Sequence, residues 1–174
     1  ASSAFMSSPP SQAASRVAAG VITEAIAAAD LSMSYINLLG SLNAQILLEH
    51  GDPTVATPWL QRLTAGEVIL ALALTEPGGG SDAARRSMKA TSAGNHYVLS
   101  GEKTSISAAV QAAAAVLFAR TGTAEEGARG VTAFLVPLDL PGITTSRFDC
   151  HGQRAIGRGS LFFDDVHLPA DHRL

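Results

Sequence analysis

Around Gly66 the spacing of apolar residues changes from about 3.6 to about 2, which calls for helices followed by strands. Before that point Val17, Val21, Ala25 and Ala29 recur every four residues, and Tyr35, Leu38, Leu39, Leu42 and Ile46 form a second helical stripe. Pro9 and Pro10 fit only a helix start. Asp30 and Ser32 offer N-cap oxygens to the second helix. Gly51 offers it a left-handed stop, and Asp52-Pro53 begins a new turn. Thr57-Pro58 starts a short helix carrying Trp59, Leu60 and Leu63, which Gly66 closes. Three or four helices fit.

After Gly66 the pattern predicts strands over 68–75, 88–92, 96–107, 116–121, 131–137, 143–148 and 160–166, with Gly- and Pro-bearing loops between them. Gly94-Asn95 turns the second strand into the third as an antiparallel hairpin. Strands in this number without intervening helices predict an antiparallel β-barrel or sandwich. The fold class is α+β, with a helical domain over 1–67 and a β domain over 68–174.

Charge follows the same division. Residues 1–70 hold 7 of the 27 Asp, Glu, Lys and Arg side chains (Arg16, Glu24, Asp30, Glu49, Asp52, Arg62 and Glu67). Helices with so little polar face must be covered on several sides, so their partners are expected outside this chain. A net charge of −3 gives no electrostatic footprint for nucleic acid. Apolar runs such as 68–74 fall far short of the roughly 20 residues of a membrane span. Ala1–Pro10 reads as a polar lead-in rather than an export signal. The single Cys150 excludes a disulfide framework and suits a reducing compartment: the cytoplasm, or the mitochondrial matrix in a eukaryote.

Which residues could carry chemistry? Gly78, Gly80 and Ala83 match a dinucleotide fingerprint in letters, but Arg85-Arg86-Ser87-Met88-Lys89 follows where an apolar helix should. The glycines are either a plain turn or a place where a ligand approaches the backbone. Arg85-Arg86 is either a solvated charge run or a phosphate contact. His50, His96, His151, His167 and His172 lack metal-ligand spacing and read as surface or packing residues. Asp164-Asp165, as neighbours on a strand, point to opposite faces and form no acid–base pair. Hydroxyls are more telling. Thr75 ends a buried strand beside the glycines, while Ser105 and Ser107 share one face of the hairpin's second strand with Ile106 opposite.

These residues carry a resemblance. The run Leu72-Ala73-Leu74-Thr75-Glu76-Pro77-Gly78-Gly79-Gly80-Ser81-Asp82 resembles the signature of the flavin-dependent acyl-CoA dehydrogenase family. Trp59-Leu60-Gln61-Arg62-Leu63 and Gly66-Glu67 resemble the segment leading into it. Tyr97-Val98-Leu99-Ser100-Gly101-Glu102-Lys103 is similar to the family's Y-V-L-N-G-x-K. Phe134-Leu135-Val136-Pro137, Pro141-Gly142-Ile143, Gly152-Gln153-Arg154 and Phe163-Asp164-Asp165-Val166-His167-Leu168-Pro169 follow in the family's order.

The resemblance implies a partial chain: part of an N-terminal helical domain and the middle β-barrel, with a C-terminal four-helix domain absent. It implies FAD as cofactor and an acyl-CoA thioester as substrate. An electron-transfer flavoprotein or other acceptor and a homodimer or homotetramer are the implied partners. Leu72, Ala73, Leu74 and Thr75 should face the flavin ring, with Thr75 bonding its pyrimidine side. Gly80 belongs to the same cofactor-binding turn. Ser105-Ile106-Ser107 corresponds to the family's W-I-T, placing Ser107 beside the reactive ring nitrogen. Ser81 corresponds to a serine that contacts both cofactor and the thioester chain. Ser105 stands where many relatives carry an aromatic residue, which opens one side of the pocket toward a cyclic or branched acyl group. Ala108 replaces a frequent Asn.

The reaction implied introduces an α,β double bond, with the α-proton taken by a carboxylate from the C-terminal domain, so no catalytic base is assigned in this chain. Two other readings remain: a relative acting on carrier-protein acyl groups or as a flavin oxidase or monooxygenase, and a non-catalytic flavin- or acyl-binding module that needs a partner chain.

Overall fold

A computed structural model describes residues 16–78, 87–152 and 154–174. Pro9, Pro10, Gly80, Ser81, Ala83 and Arg85-Arg86 lie outside the described residues. Three described helices come first: α1 (Arg16–Ala29), α2 (Leu31–His50) and α3 (Pro53–Thr64). The Asp30 carboxylate accepts the Met33 N–H at 3.0 Å and so starts α2. Asp52 does the same for α3, accepting the Thr54 N–H at 2.8 Å. This start displaces the one expected at Thr57-Pro58. A capped Pro53 in the first turn nucleates better, and Pro58 is then carried inside the helix.

Gly51 ends α2 at φ −76°, not in the left-handed conformation expected of it. Crowding explains the glycine instead. A Cβ there would stand 2.6 Å from the Ala56 Cβ and 2.7 Å from the Leu47 carbonyl oxygen, so only a bare backbone lets α3 turn back this tightly.

Seven strands among the described residues form one curled sheet, a half-barrel: β1 (Leu70–Ala73), β2 (Lys89–Ser92), β3 (His96–Ile106), β4 (Ala114–Arg120), β5 (Val131–Pro137), β6 (Ile143–Arg147) and β7 (Gly159–Pro169). Their order is β1-β4-β2-β3-β7-β6, with β5 also on β4. The helices-then-strands order matches expectation. The sheet is mixed rather than antiparallel throughout, because β1 runs parallel to β4 from Leu70–Ala114 to Ala73–Leu117. β2 joins the same β4 in the same sense at Lys89–Arg120. The chain therefore leaves an edge of β4 after Ala73 and regains it at Lys89.

Alternation then sorts side chains into two cores. Ala71, Ala73, Leu99, Leu117, Phe134, Val136 and Leu161 fill the interior of the half-barrel. Leu70, Ala114 and Leu135 point the other way, onto Leu47 of α2, Ala56 of α3 and the half-buried Trp59. Asn43, fully buried on α2, donates from Nδ2 to the Leu70 carbonyl at 2.9 Å and fastens the helices to β1.

Candidate functional site

The gap between β1 and β2 places several sequence-singled residues at one rim. After β1, the Thr75 carbonyl accepts the Thr104 N–H at 2.9 Å, drawing the end of β3 alongside the chain leaving β1. Leu74 is 37% exposed, Thr75 and Leu72 are half-buried and Ala73 is buried. Ser105 and Ser107 are half-buried, while Ile106 is turned into the core. The rim thus combines apolar surface from Leu72 and Leu74 with hydroxyls from both strands.

The simple alternation expected for Ser105 and Ser107 does not hold. β3 ends at Ile106, so Ser107 begins the following turn. Along β3–β7, Lys103 faces Leu161 and Ile106 faces Gly159, three steps against two, which is a β-bulge. Ser105 sits in it at φ 59°, a left-handed conformation tolerated better by a small side chain than by a bulky one. A second irregularity lies at Leu99–Val166 and Gly101–Phe163, with the extra residue now on β7, where Asp165 has φ 48°. There the Asp165 carboxylate accepts the Ser100 hydroxyl at 2.7 Å, and both Asp164 and Asp165 are exposed.

Under the rim lies a buried ion pair. Lys103 Nζ stands 2.6 Å from Glu76 Oε1, with the side chains 0% and 2% exposed. Nζ also donates to the Leu74 carbonyl at 3.3 Å. The other carboxylate oxygen accepts the Ser87 N–H at 2.5 Å, the Ser87 hydroxyl at 2.8 Å and the Met88 N–H at 3.2 Å. Burial pushes the Glu76 carboxyl up, but the Lys103 hydrogen bond, the Ser87 donors and the Lys103 charge outweigh it, leaving the group below its ordinary range. Glu76 is thus spent on structure. Sequence reasoning left Lys103 without a role. Leu99, Gly101 and Lys103 share one phase of β3, and a lysine in the phase of a core leucine asks for a buried carboxylate.

The hydroxyls of Thr75, Ser105 and Ser107, by contrast, take no hydrogen bond among the described residues. The Thr104–Thr75 bond brings Thr75 and Ser105, which follows Thr104, to neighbouring positions. An apolar cleft of about 760 Å³ is lined by Met33, Ile36 and Ala44 of α2, by Leu70 of β1 and by Ile69 just before it. Gln111, in the turn that Ser107 opens, also lines it. A similar hollow between α1 and α2, lined by Ala19, Leu38 and Leu42, has no contact with the rim.

The histidines fall elsewhere. His96 and His167 stack at 4.8 Å across β3 and β7, and His172 Nδ1 lies 2.7 Å from the Leu135 carbonyl oxygen. Among the described residues no group of three or more His, Cys, Asp or Glu could hold a metal, and no helix is long and apolar enough to cross a membrane.

Residues 71–166 match the family model for the acyl-CoA dehydrogenase middle domain. The chain belongs to the acyl-CoA dehydrogenase family. It is 35% identical over 156 residues to the mitochondrial isobutyryl-CoA dehydrogenase of Dictyostelium discoideum, covering 89% of this chain and 37% of that protein. The solved structure of a glutaryl-coenzyme A dehydrogenase glutaryl-CoA complex superposes with a TM-score of 0.83 at 34% identity, over 91% of this chain and 40% of that one. A Mycobacterium smegmatis glutaryl-CoA dehydrogenase in complex with FADH2 gives a TM-score of 0.69 at 28% identity, over 82% and 39%. The chain spans between 30% and 41% of the length of the curated relatives it matches.

Proposed function

We propose that this chain is the flavin- and thioester-binding part of an FAD-dependent acyl-CoA dehydrogenase, with 1–67 contributing helices and 68–174 the barrel wall. The hydroxyls of Thr75, Ser105 and Ser107, which take no hydrogen bond among the described residues, carry this reading together with the exposed Leu74, supported by membership of the family and by likeness to a flavin complex. Bound flavin supplies the two-electron acceptor for the β-hydrogen of the thioester. The chain's own residues bind and orient. Leu72, Ala73 and Leu74 offer the apolar surface for the ring, Thr75 hydrogen-bonds its pyrimidine side, and Ser107 holds the margin next to the reactive nitrogen. Ile106 anchors that hydroxyl pair from the core. Gly80 and Ser81, outside the described residues, complete the cofactor turn, and Ser81 contacts the thioester arm. The apolar cleft against α2, which Gln111 of the Ser107 turn also lines, accommodates the acyl chain. Ser105, small where many relatives carry a ring, widens the site toward branched or cyclic acyl groups. The base that takes the α-proton belongs to the remainder of a longer protein, because Glu76 is committed to Lys103. The same remainder covers the apolar face of α1 and α2.

An anaerobic visible spectrum of the protein expressed from its complete gene, titrated with acyl-CoAs, tests this. A yellow flavin band bleached by at least one thioester is expected. Absence of the band overturns the flavin assignment, and a band that no thioester bleaches overturns the dehydrogenase assignment.

A further inference from the structure

Two opposite charges placed beneath the rim are an expensive way to fill space. An apolar pair of similar volume would avoid the desolvation both ions suffer, so the charges need a reason beyond packing. What they supply is directionality across three backbone segments. Glu76 and the Leu74 carbonyl belong to the chain leaving β1; Ser87 and Met88 belong to the chain entering β2; Lys103 belongs to β3, directly before its bulge. No ladder hydrogen bonds join β1 to β2, which lie end to end along β4. The pair stands where the sheet has its seam.

We propose that the Glu76–Lys103 pair is a positioning device: it holds the end of β1, the start of β2 and the bulge of β3 in one register, and so sets where the hydroxyls of Thr75, Ser105 and Ser107 stand. The inference rests on the flavin reading of that rim. Neither charged residue touches the ring. Each acts through backbone, Lys103 through the adjoining Thr104 N–H on the Thr75 carbonyl and the left-handed turn at Ser105. Hydrogen bonds to ionised groups are short and directional, which an apolar contact is not.

Two variants of the protein expressed from its complete gene, with flavin bound, decide the matter. E76Q/K103M removes both buried charges together, so its melting temperature stays close to the unsubstituted protein's. Its flavin dissociation constant nevertheless rises about tenfold or more, the fine structure of its visible band blurs, and kcat falls about tenfold while KM for the acyl thioester changes less than threefold. S87A keeps both charges and removes one hydroxyl donor from Glu76; flavin binding weakens about threefold or more. A merely supporting pair predicts that flavin affinity, spectrum and kcat return as soon as the melting temperature does, and that result overturns the inference. S87A decides by itself if the double variant does not fold. An unsubstituted protein without flavin overturns the rim reading and this inference with it; a flavin-loaded protein indifferent to both variants overturns this inference alone.

Discussion

The helical and sheet regions of this chain bury their apolar side chains to very different extents. Val17, Val21, Ile22, Leu31, Met33, Leu38, Leu42 and Leu48 on the helices are exposed, Val17 to 76%. From β1 onward, only Leu74, Val110 and Phe162 among the described large apolar side chains are exposed, Phe162 to 38%. The sheet has two faces with work to do, one closed around Phe134 and Leu161 and the other covered by α2 and α3. Helices α2 and α3 lie against the sheet, and the helices have another face that no described residue covers. The close-packed apolar side chains are therefore concentrated in the half-barrel, while α1 and the outer face of α2 carry the exposed ones.

The largest test of this contrast is Phe134→Ala. Its ring is fully buried and meets Tyr97 edge-on at 4.9 Å, so truncation should cost about 3–5 kcal/mol, read as a fall in the urea midpoint. A loss below about 1 kcal/mol would break the claim that the half-barrel is the close-packed unit.

Acid gives the next test. Because the folded Glu76 carboxyl lies below its ordinary value of 4.5, its contribution is fully present above that value and fades as pH falls through the folded one. The urea midpoint should drop between neutral pH and acid more steeply in the unsubstituted protein than in E76Q/K103M. Parallel profiles would show that the pair contributes nothing pH-dependent.

Asn43→Ala probes the join between the regions. It removes the Nδ2 bond to the Leu70 carbonyl, but it also removes an Oδ1 that is buried without a partner among the described residues. The two partly offset, and a loss of about 1–2 kcal/mol is expected, again by urea unfolding. An unchanged midpoint would mean that packing around Leu47 and Leu70 alone holds α2 to β1.

Legibility in the sequence follows the reach of each interaction. Residues 131–137 were readable as a strand to the residue, and Asp30 as a helix cap, because alternation and capping act within a few positions. The parallel pairing of β1 with β4 was not readable, since Leu70 and Ala114 meet across 44 positions and nothing in either strand specifies the partner. Ser105 shows a subtler limit. Alternation placed it on one face with Ser107, but a single left-handed residue moves everything after it out of phase, and serine does not announce that conformation as glycine would. At the rim, the chemistry of Thr75, Ser105 and Ser107 makes them stand out in the sequence, whereas the burial of Lys103 is legible only through its phase with Leu99. At Gly51, crowding by Ala56 leaves the same sequence signature as a left-handed turn, so a glycine after a helix does not tell the two apart.

The smallest expected effect is the most discriminating for the contrast itself. Leu42 on α2 is 39% exposed and lines the hollow between α1 and α2. In the 174-residue chain, Leu42→Ser deletes apolar surface that is already partly hydrated and creates no cavity, so the urea midpoint should move by no more than about 0.5 kcal/mol in equivalent terms. The same substitution in the protein expressed from its complete gene meets a different surrounding. If the remainder of the protein covers this face, Leu42 is buried there and its loss costs what a core truncation costs, about 2–3 kcal/mol. Only the difference between the two measurements carries the argument, because it cancels the intrinsic helix preference of serine and any effect on the unfolded chain. A small loss in both contexts would mean that the apolar face of α1 and α2 is not an internal surface of the longer protein, and the unequal distribution of exposed side chains would then need another cause.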